Sequence, residues 1–250
     1  MPCSRSADRP STNKAKSISC PWVPYFFDSF CKADTWSSNK HLASNNKRIH
    51  FVPNAINIER FAFKEKTKND DTINLVNIGS FVDKKGQLLL LETVVELKRV
   101  SEKKIKLYLI GDGENRVKLE TFCREHYIED EVVFLGKIDN PEEYLQKSDL
   151  YTHSASYEPF GLVIIEAMST GTPVLATDGK GNRDFMTSSN GILLNHRDAQ
   201  LFAQEINELM RDTERYSSYQ KHGLSTAAEY DIKEHVDRLL NLYQNTIDEN

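Results

Sequence analysis

The chain has 250 residues, 39% hydrophobic and 28% charged, which is enough for a sizeable core, and its formal net charge of −5 carries no basic footprint for nucleic acid. There is no window of about 18 apolar residues and no apolar stretch in residues 1–20, so neither a membrane span nor a secretory signal is expected. Cys3, Cys20, Cys31 and Cys123 form no Cys-x-x-Cys pair and no zinc spacing, so free thiols, a cytoplasmic setting and no metal site are expected.

Residues 1–31 read as a disordered or irregular lead-in, the first twenty being polar and Ser-rich without hydrophobic period. Residues 32–54 hold a strand–helix–strand at most, too little for a domain. From Ile73 to Thr177 the pattern alternates: INLVNIGS, a helix from Gly86 to Val100, KIKLYLIG, a helix from Asn115 to His126, VVFLG, a short helix over Pro141–Lys147, and DLYTHSA. The helix GLVIIEAMST and the strand TPVLAT follow, with Gly171 as the helix C-cap between them. Asp198–Arg211 and Ile232–Ile247 repeat apolar residues at helical spacing. The order predicts an α/β fold, a Rossmann-like parallel sheet with helices on both faces over residues 55–230, and a C-terminal helix over 231–250.

Such sheets bind ligands at the carboxyl ends of their strands. In NIGSFVDKKGQ, Gly79 permits a tight backbone and Lys85 stands at the mouth of the next helix; the alternative makes Lys84 and Lys85 a solvated charge pair. LIGDGENR begins like a dinucleotide fingerprint but has Arg116 where the third glycine belongs, so Gly111 and Gly113 read as turn residues beside a ligand.

From Leu150 to Thr177 the only charged side chains are Glu158 and Glu166. A carboxylate in apolar surroundings costs roughly 2–7 kcal/mol unless something pairs with it. Pro159 suits a first helical position and Glu158 can accept from the free N–H groups of that turn, so a helix cap accounts for Glu158. Glu166 lies among Leu162, Val163, Ile164, Ile165, Ala167 and Met168, where its partner is either a buried Arg or Lys or a ligand with paired hydroxyls such as a ribose. The N–H groups around Gly161 and Leu162 suit a diphosphate, with Lys85 as a second positive element.

The Glu-x7-Glu spacing of Glu158 and Glu166, followed by Gly171-Thr172-Pro173-Val174, resembles the donor-binding half of GT-B glycosyltransferases, family 4. FVPNAINIERF, NIGSFVDKKGQ, LYLIGDGE, VFLGKID, GKGNRDF and NGILL stand in the family's order, and the resemblance covers residues 32–245. It implies a retaining enzyme using a nucleotide-diphosphate sugar and a saccharide or lipid-linked acceptor to build a polysaccharide or oligosaccharide, without a metal; the sequence has no Asp-x-Asp. Glu158 would face the transferred sugar, Glu166 the ribose and Lys85 the diphosphate, making Glu158 and Lys85 catalytic. Backbone near Gly136 and Lys137 would line the base pocket, and Gly79, Ser80, Lys84, Gly111, Phe160, Gly161 and Leu162 complete the implied donor site. Ser80 stands where many members carry arginine, which leaves Lys84 or another cation to substitute. Residues 32–54 are read as the remnant of an N-terminal acceptor domain, with apolar surface expected around residues 21–36. A partner subunit or self-association would then replace that domain, at the inner face of the membrane or in the cytoplasm. The rival reading is a non-catalytic nucleotide-sugar-binding subunit or an inactive remnant.

Overall fold

The computed structural model of the chain describes residues 25–26, 49–50, 52–66 and 71–248. The expected lead-in, the apolar stretch 21–36 and most of the strand–helix–strand over 32–54 lie outside the described residues, apart from two short parallel strands, β1 (Tyr25–Phe26) and β2 (Ile49–His50).

The remainder alternates as the sequence predicts: β3 (Thr72–Ile78), α1 (Gln87–Val100), β4 (Lys104–Ile110), α2 (Arg116–Glu125), β5 (Val132–Gly136), α3 (Pro141–Lys147), β6 (Leu150–His153), α4 (Leu162–Ser169) and β7 (Val174–Thr177). Then come β8 (Ile192–Leu194), α5 (Ala199–Leu209), α6 (Thr213–Ala228) and α7 (Ile232–Asp248). The strands form one parallel sheet in the order β5-β4-β3-β6-β7-β8. Both faces are covered, which is why the strands are apolar almost throughout. Ile73, Leu75, Leu107 and Leu109 pack with Leu90, Val94 and Leu97 of α1 and Phe202 of α5. Val76, Ile110, Tyr151 and Val174 meet Ile164, Ile165 and Met168 of α4 on the other face.

Two elements were not anticipated. The helix α6 reads TERYSSYQKHGLSTAA, too polar for a clear apolar period, and its contact with α4 is made by small residues; a Cβ on Gly223 would lie 3.4 Å from Met168 Cγ. The signal present was Asp212, whose carboxylate caps α6 by accepting from the Arg215 N–H at 2.9 Å. The strand β8 has three residues, below the length at which alternation can be read.

Residues 52–58 are tied to the start of α7. Ile56 N–H donates to Tyr230 O at 2.8 Å, Ile232 N–H donates to Ile56 O at 2.9 Å, and His235 Nδ1 lies 2.8 Å from Pro53 O. No helix among the described residues is long and apolar enough to cross a membrane. Cys123 is a buried free thiol, pushed up to about 11 by burial and by Glu129 and Glu120, and so is chemically quiet.

Candidate active site

The chain runs outward from β3 through β4 to β5, then returns to place β6 beside β3 on the other side. The sheet order therefore reverses between β3 and β6, and the helices that follow those strands, α1 and α4, pack on opposite faces, the arrangement that opens a crevice at the strand ends. Here the β3 loop carries a short helical turn, Asp83–Lys85, and the β6 loop carries residues 154–161. They are stitched together by backbone: Ser156 N–H donates to Lys84 O at 2.9 Å and Ser154 Oγ–H donates to Lys85 O at 2.9 Å. With both backbones fixed, Lys85 Nζ reaches Glu158 Oε2 at 2.6 Å. His153 Nε2 lies 3.2 Å from the same oxygen without forming a well-made hydrogen bond. Burial would raise the Glu158 carboxyl, but His153 and Lys85 outweigh it and hold the group at about 2.

Glu158 is not a helix cap. The first residue of α4 is Leu162, its N-cap is Gly161 at φ 97°, and Pro159 lies in the turn before it. The Glu158 backbone is clasped instead by residues 179–181: its N–H donates to Gly179 O at 2.8 Å and its carbonyl accepts from Gly181 N–H at 3.0 Å. The approach is too close for a side chain, since a Cβ on Gly181 would stand 2.0 Å from Pro159 O. Lys180 between them has φ 78°, a left-handed backbone on a non-glycine residue and a small store of strain beside the site.

Lys85, Glu158, Phe160, Gly161 and Leu162 line one open cleft of about 550 Å³, together with Asn54, Ala55, Ile232 and His235. No side chain caps the opening N–H groups of α4, which are directed at its N-terminal end. The other implied donor residues lie outside this cleft. Gly79 follows β3 and donates its N–H to Ile110 O at 2.9 Å, while Gly111 N–H donates to Gly136 O at 2.8 Å, so the three glycines form a continuous rim. Gly111 has φ 134°, and a Cβ there would meet Gly79 O at 2.0 Å. Gly113 packs on the Phe81 backbone, which gives LIGDGENR a turn-forming role. Ser80, Lys84 and Lys137 are solvent-exposed at this rim.

Glu166 lies further along α4, partly buried, and among the described residues its carboxylate makes no hydrogen bond or ion pair. Arg60 acts on it electrostatically, but Arg60 Nη2 is bound to Glu142 Oε2 at 2.9 Å and to Asp139 O at 2.5 Å. Burial drives the Glu166 carboxyl up to about 7; the pull of Arg60 is opposed by Glu142. Sequence reasoning missed both Arg60 and His153. The one signal for His153 was its place in Tyr-x-His at the end of a strand, two residues from a tyrosine on the same face.

A family model described as "Glycosyl transferases group 1" matches residues 58–226. The lipopolysaccharide core biosynthesis glycosyltransferase LpsE of Rhizobium meliloti is 32% identical over 170 residues, covering 66% of this chain and 48% of that protein. The N-acetyl-alpha-D-glucosaminyl L-malate synthase of Bacillus anthracis is 32% identical over 182 residues, covering 69% of this chain and 47% of that protein. The chain thus spans about half the length of these curated relatives. Among solved structures, Anabaena HepE in complex with UDP and glucose superimposes with a TM-score of 0.71 over 84% of this chain and 61% of that one, at 20% identity, a likeness of fold. The matched family model covers the whole sheet from β3 to β8 together with the Lys85–Glu158 contact and Glu166, and on that basis the chain belongs to the glycosyl transferases group 1 family.

Proposed function

We propose that this chain is the donor-binding half of a retaining glycosyltransferase that takes a sugar from a nucleotide-diphosphate sugar and passes it to a saccharide or lipid-linked acceptor in polysaccharide or oligosaccharide assembly. The observation that carries the reading is the Lys85–Glu158 contact of 2.6 Å at the switch point of the sheet, in an open cleft beside the uncapped N-terminus of α4. A cation and a helix N-terminus supply positive charge for a leaving diphosphate, so no metal is assigned to the reaction. In this reading Glu158, which lines the cleft, serves the transferred sugar, and the Glu166 carboxylate, with neither ion pair nor hydrogen bond among the described residues, offers an acceptor for ribose hydroxyls. UDP and glucose in the HepE structure, which shares this fold, support a nucleotide-sugar donor. The reading places the work in the cytoplasm or at the inner face of the membrane, with a saccharide acceptor held by a second domain, a partner subunit or a second copy.

Calorimetry on Glu158→Ala tests the division of labour. Affinity for the free nucleoside diphosphate should stay nearly intact while affinity for the corresponding nucleotide-sugar falls. Equal losses for both would remove Glu158 from the sugar subsite.

A further inference from the structure

Lys85 holds Glu158 Oε2 at 2.6 Å, so an anion that binds its ammonium competes with the carboxylate for it. When the diphosphate draws Lys85 away, the carboxylate that must face the sugar loses its principal cation. A carboxylate whose side chain is only 11% exposed is strongly disfavoured once its partner is removed, because little solvent replaces the lost cation. The residue placed to support it is His153. It ends β6, is 2% exposed, and sets Nε2 3.2 Å from the oxygen that Lys85 holds. Its ring is held from behind. Tyr151, fully buried on the same face of the strand, brings its hydroxyl within 3.0 Å of Nδ1. Burial, with Glu158 and Glu166 adding to it, keeps the Tyr151 phenol protonated, so O–H can donate to Nδ1 and leave the N–H on Nε2, 3.2 Å from Glu158 Oε2. Nε2 is otherwise buried without a well-formed hydrogen bond, a poor arrangement for stability alone but a suitable one for a donor that engages when Lys85 moves.

We infer that His153 is a positioning residue of the donor site: it takes over the Glu158 carboxylate when a diphosphate claims Lys85, with Tyr151 fixing the orientation of its ring. The inference rests on the donor-site reading above. Its test compares wild type, His153→Leu and His153→Gln by calorimetry, using a nucleotide-sugar that binds the wild type and the matching nucleoside diphosphate. His153→Leu should lose about tenfold in affinity for the nucleotide-sugar with little change for the diphosphate, and His153→Gln, which restores an N–H donor, should recover most of it. Tyr151→Phe, which keeps the ring volume, should show a smaller loss of the same kind and serves if His153→Leu does not fold. Equal losses for both ligands, no loss for either, or no recovery with Gln would overturn the role of His153 while leaving the donor site standing. A wild type that binds no member of a UDP-, GDP-, dTDP- and ADP-sugar panel would overturn the donor-site reading, and the inference with it.

Discussion

Lys85 Nζ and Glu158 Oε2 stand 2.6 Å apart although the two residues are 73 positions apart in the chain, and each is delivered by the loop leaving one of the two central strands, β3 and β6. A diphosphate bound at this point competes with Glu158 for the Lys85 ammonium. Lys85→Ala should therefore weaken nucleoside diphosphate binding by about 10- to 150-fold, the equivalent of losing hydrogen bonds to a charged group worth roughly 1.5–3 kcal/mol. The bare nucleoside should bind almost as before, and added salt should narrow the difference. Calorimetric titrations of both ligands at two ionic strengths decide the matter, and identical losses for nucleoside and diphosphate would count against the assignment.

The pair also shapes acid stability. The Glu158 carboxyl sits at about 2 in the folded chain against an ordinary 4.5, so its contribution is fully present above 4.5 and is lost as pH falls through about 2. Glu158→Gln should flatten the stability profile in that window by about 1–3 kcal/mol. Urea melts between pH 5 and pH 2 measure it, and a variant profile parallel to wild type would contradict the assignment of this shift.

Glu166 has the opposite sign. Its folded value of about 7 exceeds the ordinary 4.5, so stability is highest below 4.5 and declines as pH rises through 7. Glu166→Gln should raise the melting temperature at pH 8, leave it nearly unchanged at pH 4, and weaken nucleoside binding about tenfold or more by losing charged acceptors for the ribose. A variant that melts lower at both pH values and binds normally would make Glu166 a structural residue.

Gly181 is the third lever. A methyl group there would lie 2.0 Å from Pro159 O and 2.5 Å from Glu158 O, both backbone atoms that cannot swing aside. Gly181→Ala should displace the loop carrying Glu158, lower stability by about 1–3 kcal/mol and reduce nucleotide-sugar affinity, although the new side chain touches no ligand. Thermal melts and titrations on this variant should move together; unchanged binding would show that residues 179–181 do not hold the site.

How much of this was legible beforehand depends on which forces act locally. Alternating strand and helix patterns from Ile73 to Thr177 report burial, and burial on both sheet faces gave the fold class without ambiguity. Lys85, Glu158 and Glu166 could be singled out because charge in an apolar stretch is expensive and therefore conspicuous. His153 could not, because a histidine ending a strand looks like core until Tyr151 and Glu158 are seen on either side of it. The reading of Glu158 as a helix cap put Pro159 in the first turn because proline suits that position; the backbone bridge between Glu158 and Lys180, a contact across 22 residues, holds Glu158 outside the helix, which starts after Gly161. Arg60 lies in a segment with no strand or helix pattern to place it, and its tie to Glu142, which leaves the Glu166 carboxylate unpaired, exists only in three dimensions.

The central claim is that the cleft between the β3 and β6 loops holds a nucleotide-diphosphate sugar. Titration of the purified 250-residue chain with UDP-, GDP-, dTDP- and ADP-sugars, read by calorimetry alongside Lys85→Ala and Glu166→Ala, tests it most directly. The account expects saturable binding of at least one of these donors by the wild type, lost or weakened at least tenfold in both variants while their folds persist. Binding by none of the four classes, or binding untouched by either substitution, would contradict it.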